Sequence, residues 1–218
     1  MFFMTSTGIV RLLQWLDYDV PAGRKEAEFR RLPEGVRNAI ETLWSGRHDF
    51  YKAPRSNGHW DGEAKNSLWI PDDNVVPAQR GYSNWNGLSW GEIKRKHGIR
   101  GIRFVRGVAQ FGEVAKYTVR LSDFSRYVDV DDPGERSRLH DAAFAALSRQ
   151  LSRPIEDVRR MKEDTDNILV WHEDVDCETL HLVPREIHDN IPHFGGIALL
   201  KILRDNGIGN AQFIIHNS

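Results

Sequence analysis

The chain has 218 residues, of which 40% are hydrophobic and 28% charged, with a net charge of −1. This length and apolar content allow one sizeable core, or a main domain with a small extension, and exclude a disordered polypeptide. The single cysteine, Cys177, excludes an intrachain disulfide framework and a thiolate zinc cluster. No apolar run approaches the ~20 residues of a membrane span, and the first residues lack the basic region of a secretory signal.

The N-terminal part of the chain is predicted to be helical. Apolar residues repeat at helical spacing over residues 9–16 and again over residues 33–44. Glycine and proline recur through residues 46–66, which favours a loop and makes this segment the best candidate for a domain boundary. We therefore predict a helical N-terminal extension over residues 1–57 and a main domain over residues 58–218.

The middle of the chain mixes helices and strands. Ser89 and Glu92 form a capping-box pattern at the start of a helix that Gly98 can end. Strands are predicted over residues 99–105 and 116–121. Further helices are predicted over residues 135–151, 154–161 and 197–204. Because these elements do not alternate as regular βαβ units, the sequence predicts the α+β class.

Residues 171–196 hold four of the nine histidines. Histidine is the commonest metal ligand and a general base suited to neutral pH, so the cluster indicates a metal site or catalysis. Residues 168–171 have the pattern of a buried strand, residues 179–183 alternate as a second strand, and Pro184 opens a short helix. The predicted order is strand, loop, strand and helix.

This order and the motifs within it resemble the HNH (ββα-metal) nucleases, and in particular the WHH type of bacterial nuclease toxin. The motifs that carry the resemblance are Trp171-His172, Leu180-His181-Leu182-Val183-Pro184, Ile187-His188 and His193-Phe194-Gly195-Gly196. Shorter upstream motifs extend it, so that it covers roughly residues 58–200. The resemblance implies a ββα unit at about residues 167–196 near the C-terminus of an α+β domain.

The resemblance also implies a set of roles around one divalent ion. His188 and His193 are expected to bind the ion, which could be Mg²⁺, Mn²⁺, Zn²⁺ or Ni²⁺. Of His172 and Glu173, one is expected to complete the set of metal ligands and the other to act as the general base. His181 alternates with Leu180 and Leu182, so it is expected to point away from the core, with a supporting catalytic role or simple exposure as the alternatives.

Three positions depart from the WHH pattern. Glu173 stands where the family has a second histidine, His181 where it has glutamine, and Gln110 where an acidic residue is expected. The function predicted is a metal-dependent endonuclease that favours DNA over RNA, in a toxin or effector that acts in the cytoplasm of a target cell and is bound by a cognate immunity protein. The alternative is an inactive scaffold of the same fold that binds nucleic acid or protein.

Charge is unevenly distributed along the chain. Residues 94–112 contain six basic residues and no acid, and Arg100, Arg103 and Arg106 are predicted to contact phosphates. Residues 163–178 contain seven acids and no lysine or arginine, which would favour a cation beside the histidines. The alternative for both stretches is a solvated surface. Core packing is expected for Trp69, Trp85 and Trp90, rather than stacking on bases.

Overall fold

The computed structural model describes residues 2–4, 6–44, 52–77, 83–121, 132, 134–162, 167–205 and 213–215. Helices and strands alternate irregularly along these residues, which confirms the α+β class. None of the helices in this part of the chain is long and apolar enough to cross a membrane.

The N-terminal part is helical, as predicted. Its elements are β1 (Phe2–Met4), α1 (Ser6–Gln14) with a π-helical turn over Trp15–Asp19, α2 (Ala22–Arg30) and α3 (Glu34–Trp44). The prediction did not include α2, because Phe29 is its only buried residue and the segment therefore has no apolar stripe.

Four short strands form the first antiparallel sheet, in the order β2-β3-β4-β5. They are β2 (Gly58–Trp60), β3 (Leu68–Pro71), β4 (Ile102–Val105) and β5 (Val108–Ala109). The prediction of a loop over residues 46–66 was wrong at β2, and residues 45–51 lie outside the described residues. Strand β4 alternates, so Ile102 and Phe104 are buried while Arg103 and Val105 point outward.

Helix α4 (Trp90–His97) begins and ends where the sequence indicated. The Ser89 side chain accepts from the Glu92 backbone N–H, and the Glu92 carboxylate accepts from the Ser89 backbone N–H. Gly98 ends the helix in the left-handed conformation, with φ of 67°. A single 3₁₀ turn over Phe111–Glu113 follows the first sheet.

The remaining elements build a second antiparallel sheet with helices around it, and its strand order is β6-β8-β7. These elements are β6 (Tyr117–Arg120), α5 (Glu135–Leu151), α6 (Ile155–Arg160), β7 (Leu169–Glu173), β8 (Thr179–Pro184), α7 (Arg185–His188), α8 (Gly196–Asp205) and β9 (Phe213–Ile215). The predicted strand, loop, strand and helix are present as β7, β8 and α7. Strand β9 pairs with β1 as a separate ribbon.

The second sheet separates two hydrophobic cores. Trp171, Leu180 and Leu182 belong to the larger core, where α5 covers the sheet and the Trp171 ring packs edge-on against Phe144. Val183 belongs to the other core, with Phe111 and Ile187 among its members. Because successive side chains of a strand point to opposite faces, neighbouring residues of β7 and β8 face different cores.

The N-terminal helices contribute to the larger core. Leu13 of α1 and Ile40 of α3 belong to the same cluster as Leu203 of α8 and Trp171 of β7. The boundary at residue 57 or 58 therefore stays a prediction from sequence.

The three tryptophans for which core packing was expected divide into two groups. Trp69 and Trp90 are buried, at 3% and 4% exposure, as predicted. The expectation was wrong for Trp85, which is 68% exposed in the turn that precedes α4.

Candidate metal centre and catalytic site

Three histidines converge at the junction of β7, α7 and the loop that follows α7. His172, His188 and His193 each offer a ring nitrogen, and these nitrogens lie within 4.8 Å of one another. Their ring centroids are 4.5 to 5.4 Å apart. The ring of Phe111 contacts all three imidazoles, with centroid distances of 4.7 to 5.3 Å, and so forms an apolar floor beneath them.

Each histidine of this trio is placed by a different local feature. His172 is the penultimate residue of β7, and its side chain lies on the sheet face opposite Trp171. Pro184 precedes α7 and Ile187 anchors that short helix in the second core, which places His188 at its end. His193 lies beyond the helix, as its spacing of five from His188 predicted, in the loop that leads to Gly195 and α8.

Hydrogen bonds orient two of the three rings. The Nδ1 of His193 donates to the backbone oxygen of Ile191 at 2.8 Å, and the Nδ1 of His188 is 2.8 Å from the Asp189 carboxylate. A histidine whose Nδ1 is occupied in this way presents Nε2 to a metal ion, and such a second contact fixes the ring. The Nε2 of His188 in turn faces the Nδ1 of His172 at 3.3 Å.

Burial keeps two of the three histidines, His172 and His193, uncharged. It lowers the pKa of His172 well below the ordinary value, and the neighbouring His193 and His188 lower it further. Burial also lowers the pKa of His193 to about 4, with a further contribution from His188. Since a metal ion binds the neutral imidazole, these two rings are in the ligating form at neutral pH.

The trio fits a divalent ion. Two nitrogen ligands at about 2.0–2.1 Å from a tetrahedral Zn²⁺ lie about 3.3–3.4 Å apart, which matches the 3.3 Å between His172 Nδ1 and His188 Nε2. Three protein ligands leave a further coordination position for solvent or substrate, as in catalytic rather than structural sites. His188 and His193 are partly accessible, so the site can be reached from solvent.

His181 lies beside the trio on the same sheet face. It is directly opposite His172 in the register of β7 and β8, and the two rings are nearly parallel at a centroid distance of 6.3 Å. Its Nδ1 is 2.9 Å from the Thr118 hydroxyl, and its Nε2 is 3.4 Å from the Asp174 carboxylate. The ring points away from Leu180 and Leu182, as predicted, but the expectation that it leaves the core was wrong: it is 8% exposed, because the second core covers this face.

Glu173 faces the other way. Its carboxylate accepts from Arg136 at both oxygens, at 2.8 and 2.9 Å, and lies 2.8 Å from the Nε2 of His140. Burial alone would raise the pKa of this carboxyl, but the hydrogen bonds from His140 and Arg136 outweigh it and lower the pKa to about 2. Glu173 is therefore ionised. Its carboxylate is bound by Arg136 and His140 of helix α5, on the face of β7 opposite His172.

The acidic segment around the trio is only partly described. Glu163, Asp164 and Asp166 lie outside the described residues. The Asp176 carboxylate accepts from the backbone N–H groups of residues 178 and 179, so it stabilises the tight β7–β8 turn. Buried Cys177 lies in the same turn, with φ of 56°.

The three arginines predicted to contact phosphates have different surroundings. Arg106 forms a two-pronged ion pair with Asp19, at 2.9 and 3.0 Å, which links β4 to the N-terminal helices. Arg103 is 3.1 Å from the Glu113 carboxylate. Arg100 is exposed and has no acidic partner among the described residues, and it lines an open groove of about 440 Å³ between α4 and β3. The structure brings none of the three to the histidine trio.

Sequence reasoning missed the residues of α5 that bind Glu173. Arg136 and His140 are four apart and so lie on one face of the helix, but their partner Glu173 is 37 and 33 residues away. The four-residue spacing of Arg136 and His140 was the available signal, but it does not identify Glu173 as the acid that they bind. No sequence pattern singled out Phe111, whose role as the floor of the trio depends on packing.

The comparison with protein families agrees with this geometry. Residues 103–195 match the family of the DNase/tRNase domain of colicin-like bacteriocins. The match covers under half of the chain, and it contains β7, β8, α7 and all three histidines of the trio. No curated protein and no solved structure gives a significant match. The segment that builds the candidate site is therefore similar to the nuclease domains of bacterial toxins.

Proposed function

We propose that this protein is a metal-dependent endonuclease of the HNH (ββα-metal) type that hydrolyses phosphodiester bonds, with DNA favoured as the substrate. One observation carries the proposal: three imidazoles converge on a single point within a strand, strand and helix unit. That unit lies inside the segment that matches a toxin nuclease family. The Trp171-His172 and His193 to Gly196 motifs further favour the WHH type of this group.

His172, His188 and His193 would hold one divalent ion, chosen among Mg²⁺, Mn²⁺, Zn²⁺ and Ni²⁺. Such an ion supplies Lewis-acid chemistry, since it neutralises the charge that develops on the phosphate and on the leaving oxygen. Asp189 and the Ile191 backbone oxygen would keep the ligand rings in orientation through their Nδ1 contacts.

His181 is the side chain that we assign as the general base. It shares a sheet face with His172 and is held by Thr118. In the proposed step, an imidazole nitrogen of His181 takes a proton from water while the water oxygen attacks phosphorus in line with the leaving oxygen. The sequence predicted His172 or Glu173 for this role. The proposal instead gives His172 to the ion, and the Glu173 carboxylate is on the opposite face, where it accepts from Arg136 and His140.

The biological setting proposed is that of a toxin or effector. The protein would act on nucleic acid in the cytoplasm of a target cell, and a cognate immunity protein would protect the producing cell. This setting rests on the similarity of residues 103–195 to the bacteriocin family. The competing function, an inactive scaffold that binds nucleic acid or protein, is favoured by one observation, which is Glu173 at the position of the family's second histidine.

Incubation with plasmid DNA and with structured RNA tests the proposal, in the presence of each of the four ions or of EDTA. We expect metal-dependent cleavage of DNA that EDTA abolishes. His188→Ala should abolish cleavage, whereas His59→Ala, at an exposed histidine of β2, should leave it unchanged. A wild-type protein that cleaves neither substrate with any of the four ions, while still binding nucleic acid, would establish the inactive scaffold instead.

A further inference from the structure

We propose that Glu186 is a positioning residue of the metal centre, because helix α4 binds its carboxylate and thereby holds helix α7 where His188 reaches the ion. This inference rests on the proposed function and deepens it, since it names what sets the position of one ligand. It also gives a role at the site to α4, which lies outside the residues that match the bacteriocin family.

Helix α7 does not fix its own position. It is only four residues long, Arg185–His188. A single helical turn is unstable alone, since nucleation costs more free energy than so few hydrogen bonds return. Contacts with the rest of the protein therefore decide where this helix lies and where His188 points. One such contact is Ile187, which is fully buried in the second core together with Ile93 of α4.

Glu186 provides a second anchor, on the side of α7 away from the ion. Residues two apart in an α-helix are separated by about 200° around its axis, so Glu186 and His188 point in nearly opposite directions. The ring of His188 lies against His172 and His193. The side chain of Glu186 is 13% exposed and faces the last turn of α4. A contact at Glu186 thus holds the helix from behind.

Two side chains of α4 bind the same oxygen of this carboxylate. The Nε2 of His97 donates to Oε1 of Glu186, and the Nζ of Lys96 lies 3.0 Å from the same atom. The side chain of His97 is 3% exposed, so solvent does not compete freely for its hydrogen bond. Hydrogen bonds to an ionised acceptor are stronger than those between neutral groups. Glu186 therefore joins α7 firmly to α4.

Helix α4 is a well-defined support for this contact. The capping box that begins at Ser89 fixes its first turn, and Gly98 ends it directly after His97. Ile93 is fully buried, so the helix is also anchored in the second core. The last turn of α4, with Lys96 and His97, consequently has a fixed place relative to α7.

The position of α7 matters because a metal ion tolerates little displacement of its ligands. Each nitrogen must lie about 2.0–2.1 Å from a Zn²⁺ ion. Asp189 orients the ring of His188 through Nδ1, whereas Glu186 acts on the helix that carries the ring. Loss of a residue that supports a metal ligand typically weakens the affinity for the ion by about 10- to 100-fold. We expect a loss of this size when the contact between Glu186 and α4 is removed.

Calorimetric titration of the full chain with Zn²⁺ tests the inference without requiring cleavage, and the absorption spectrum of bound Co²⁺ reports the geometry of the ligands. Glu186→Ala should weaken the Zn²⁺ affinity by about 10- to 100-fold and alter the Co²⁺ spectrum. Glu186→Gln keeps an oxygen that accepts from His97 and Lys96, so it should recover most of the affinity and the wild-type spectrum. Asp73→Ala is the matched control, because Asp73 pairs with Lys94 of the same helix at 2.6 Å but belongs to the loop after β3.

A further variant separates positioning from folding. If Glu186→Ala lowers the melting temperature of the metal-free protein, His97→Leu replaces it, since Glu186 then stays paired with Lys96; its Zn²⁺ affinity should fall and its Co²⁺ spectrum should change. Unchanged affinity and spectrum in the folded variant overturn the inference, and so does an equal loss in Asp73→Ala. Wild type that responds to these substitutions as expected but cleaves nothing refutes the proposed function alone. Wild type that binds neither ion refutes both.

Discussion

Acidification should destabilise the metal-free protein through the buried histidines of the trio. Burial lowers the pKa of His193 from 6.5 to about 4. Between these values the unfolded chain binds a proton that the folded protein does not, so stability is lost as the pH falls through this window. Lowering the pH from about 7.5 to about 5 should then cost about 2 kcal/mol through His193 alone. His172 shifts in the same direction and adds to this loss.

At about pH 5, the loss of stability comes from the histidines and not from Glu173. Glu173 has its pKa lowered from 4.5 to about 2, so its contribution to stability is present above 4.5 and is lost at lower pH. Urea denaturation in EDTA at the two pH values measures the predicted loss. His193→Gln keeps a donor for the Ile191 backbone oxygen and has no charge to gain, so its loss on acidification should be smaller by about 2 kcal/mol.

His59→Gln, at an exposed histidine, should retain the full loss. If wild type and His193→Gln lose the same free energy between the two pH values, the burial of an uncharged His193 does not govern acid stability. The reasoning from the low pKa would then be refuted.

Three further predictions follow from the packing and chemistry of the site. A divalent ion at 100 times its Kd should raise the free energy of unfolding by about 2.7 kcal/mol, and His188→Ala should remove most of that rise in a urea titration with and without EDTA. His181→Gln should lower the cleavage rate by about 10²-fold or more with unchanged ion binding by calorimetry, and a weaker ion affinity would identify it as a ligand instead. Trp171→Ala, at a side chain 3% exposed, should cost about 3–5 kcal/mol in urea denaturation; a cost below about 1 kcal/mol would contradict its place in the core.

Local pattern alone determined the elements that carry the site. The alternation of Leu180, His181 and Leu182 predicted β8, and Pro184 predicted the start of α7. The spacing of His188 and His193 placed one at the end of the helix and the other beyond it, as the structure has them. These features depend on backbone geometry and on residues close in sequence, so a single chain without its tertiary structure is enough to predict them.

Tertiary structure decided which side chains meet. Alternation requires His172 and Glu173 to point to opposite faces of β7, but it does not tell which face carries the site, since that depends on what packs against each side of the sheet. Helix α5 covers one face, so Glu173 binds Arg136, which is 37 residues away. The second core covers the other, and it buries His181 beside the trio. In the same way, Arg106 pairs with Asp19 across 87 residues. The burial of apolar surfaces that are distant in sequence brings such partners together. A local sequence pattern does not show which charged residues become neighbours in this way.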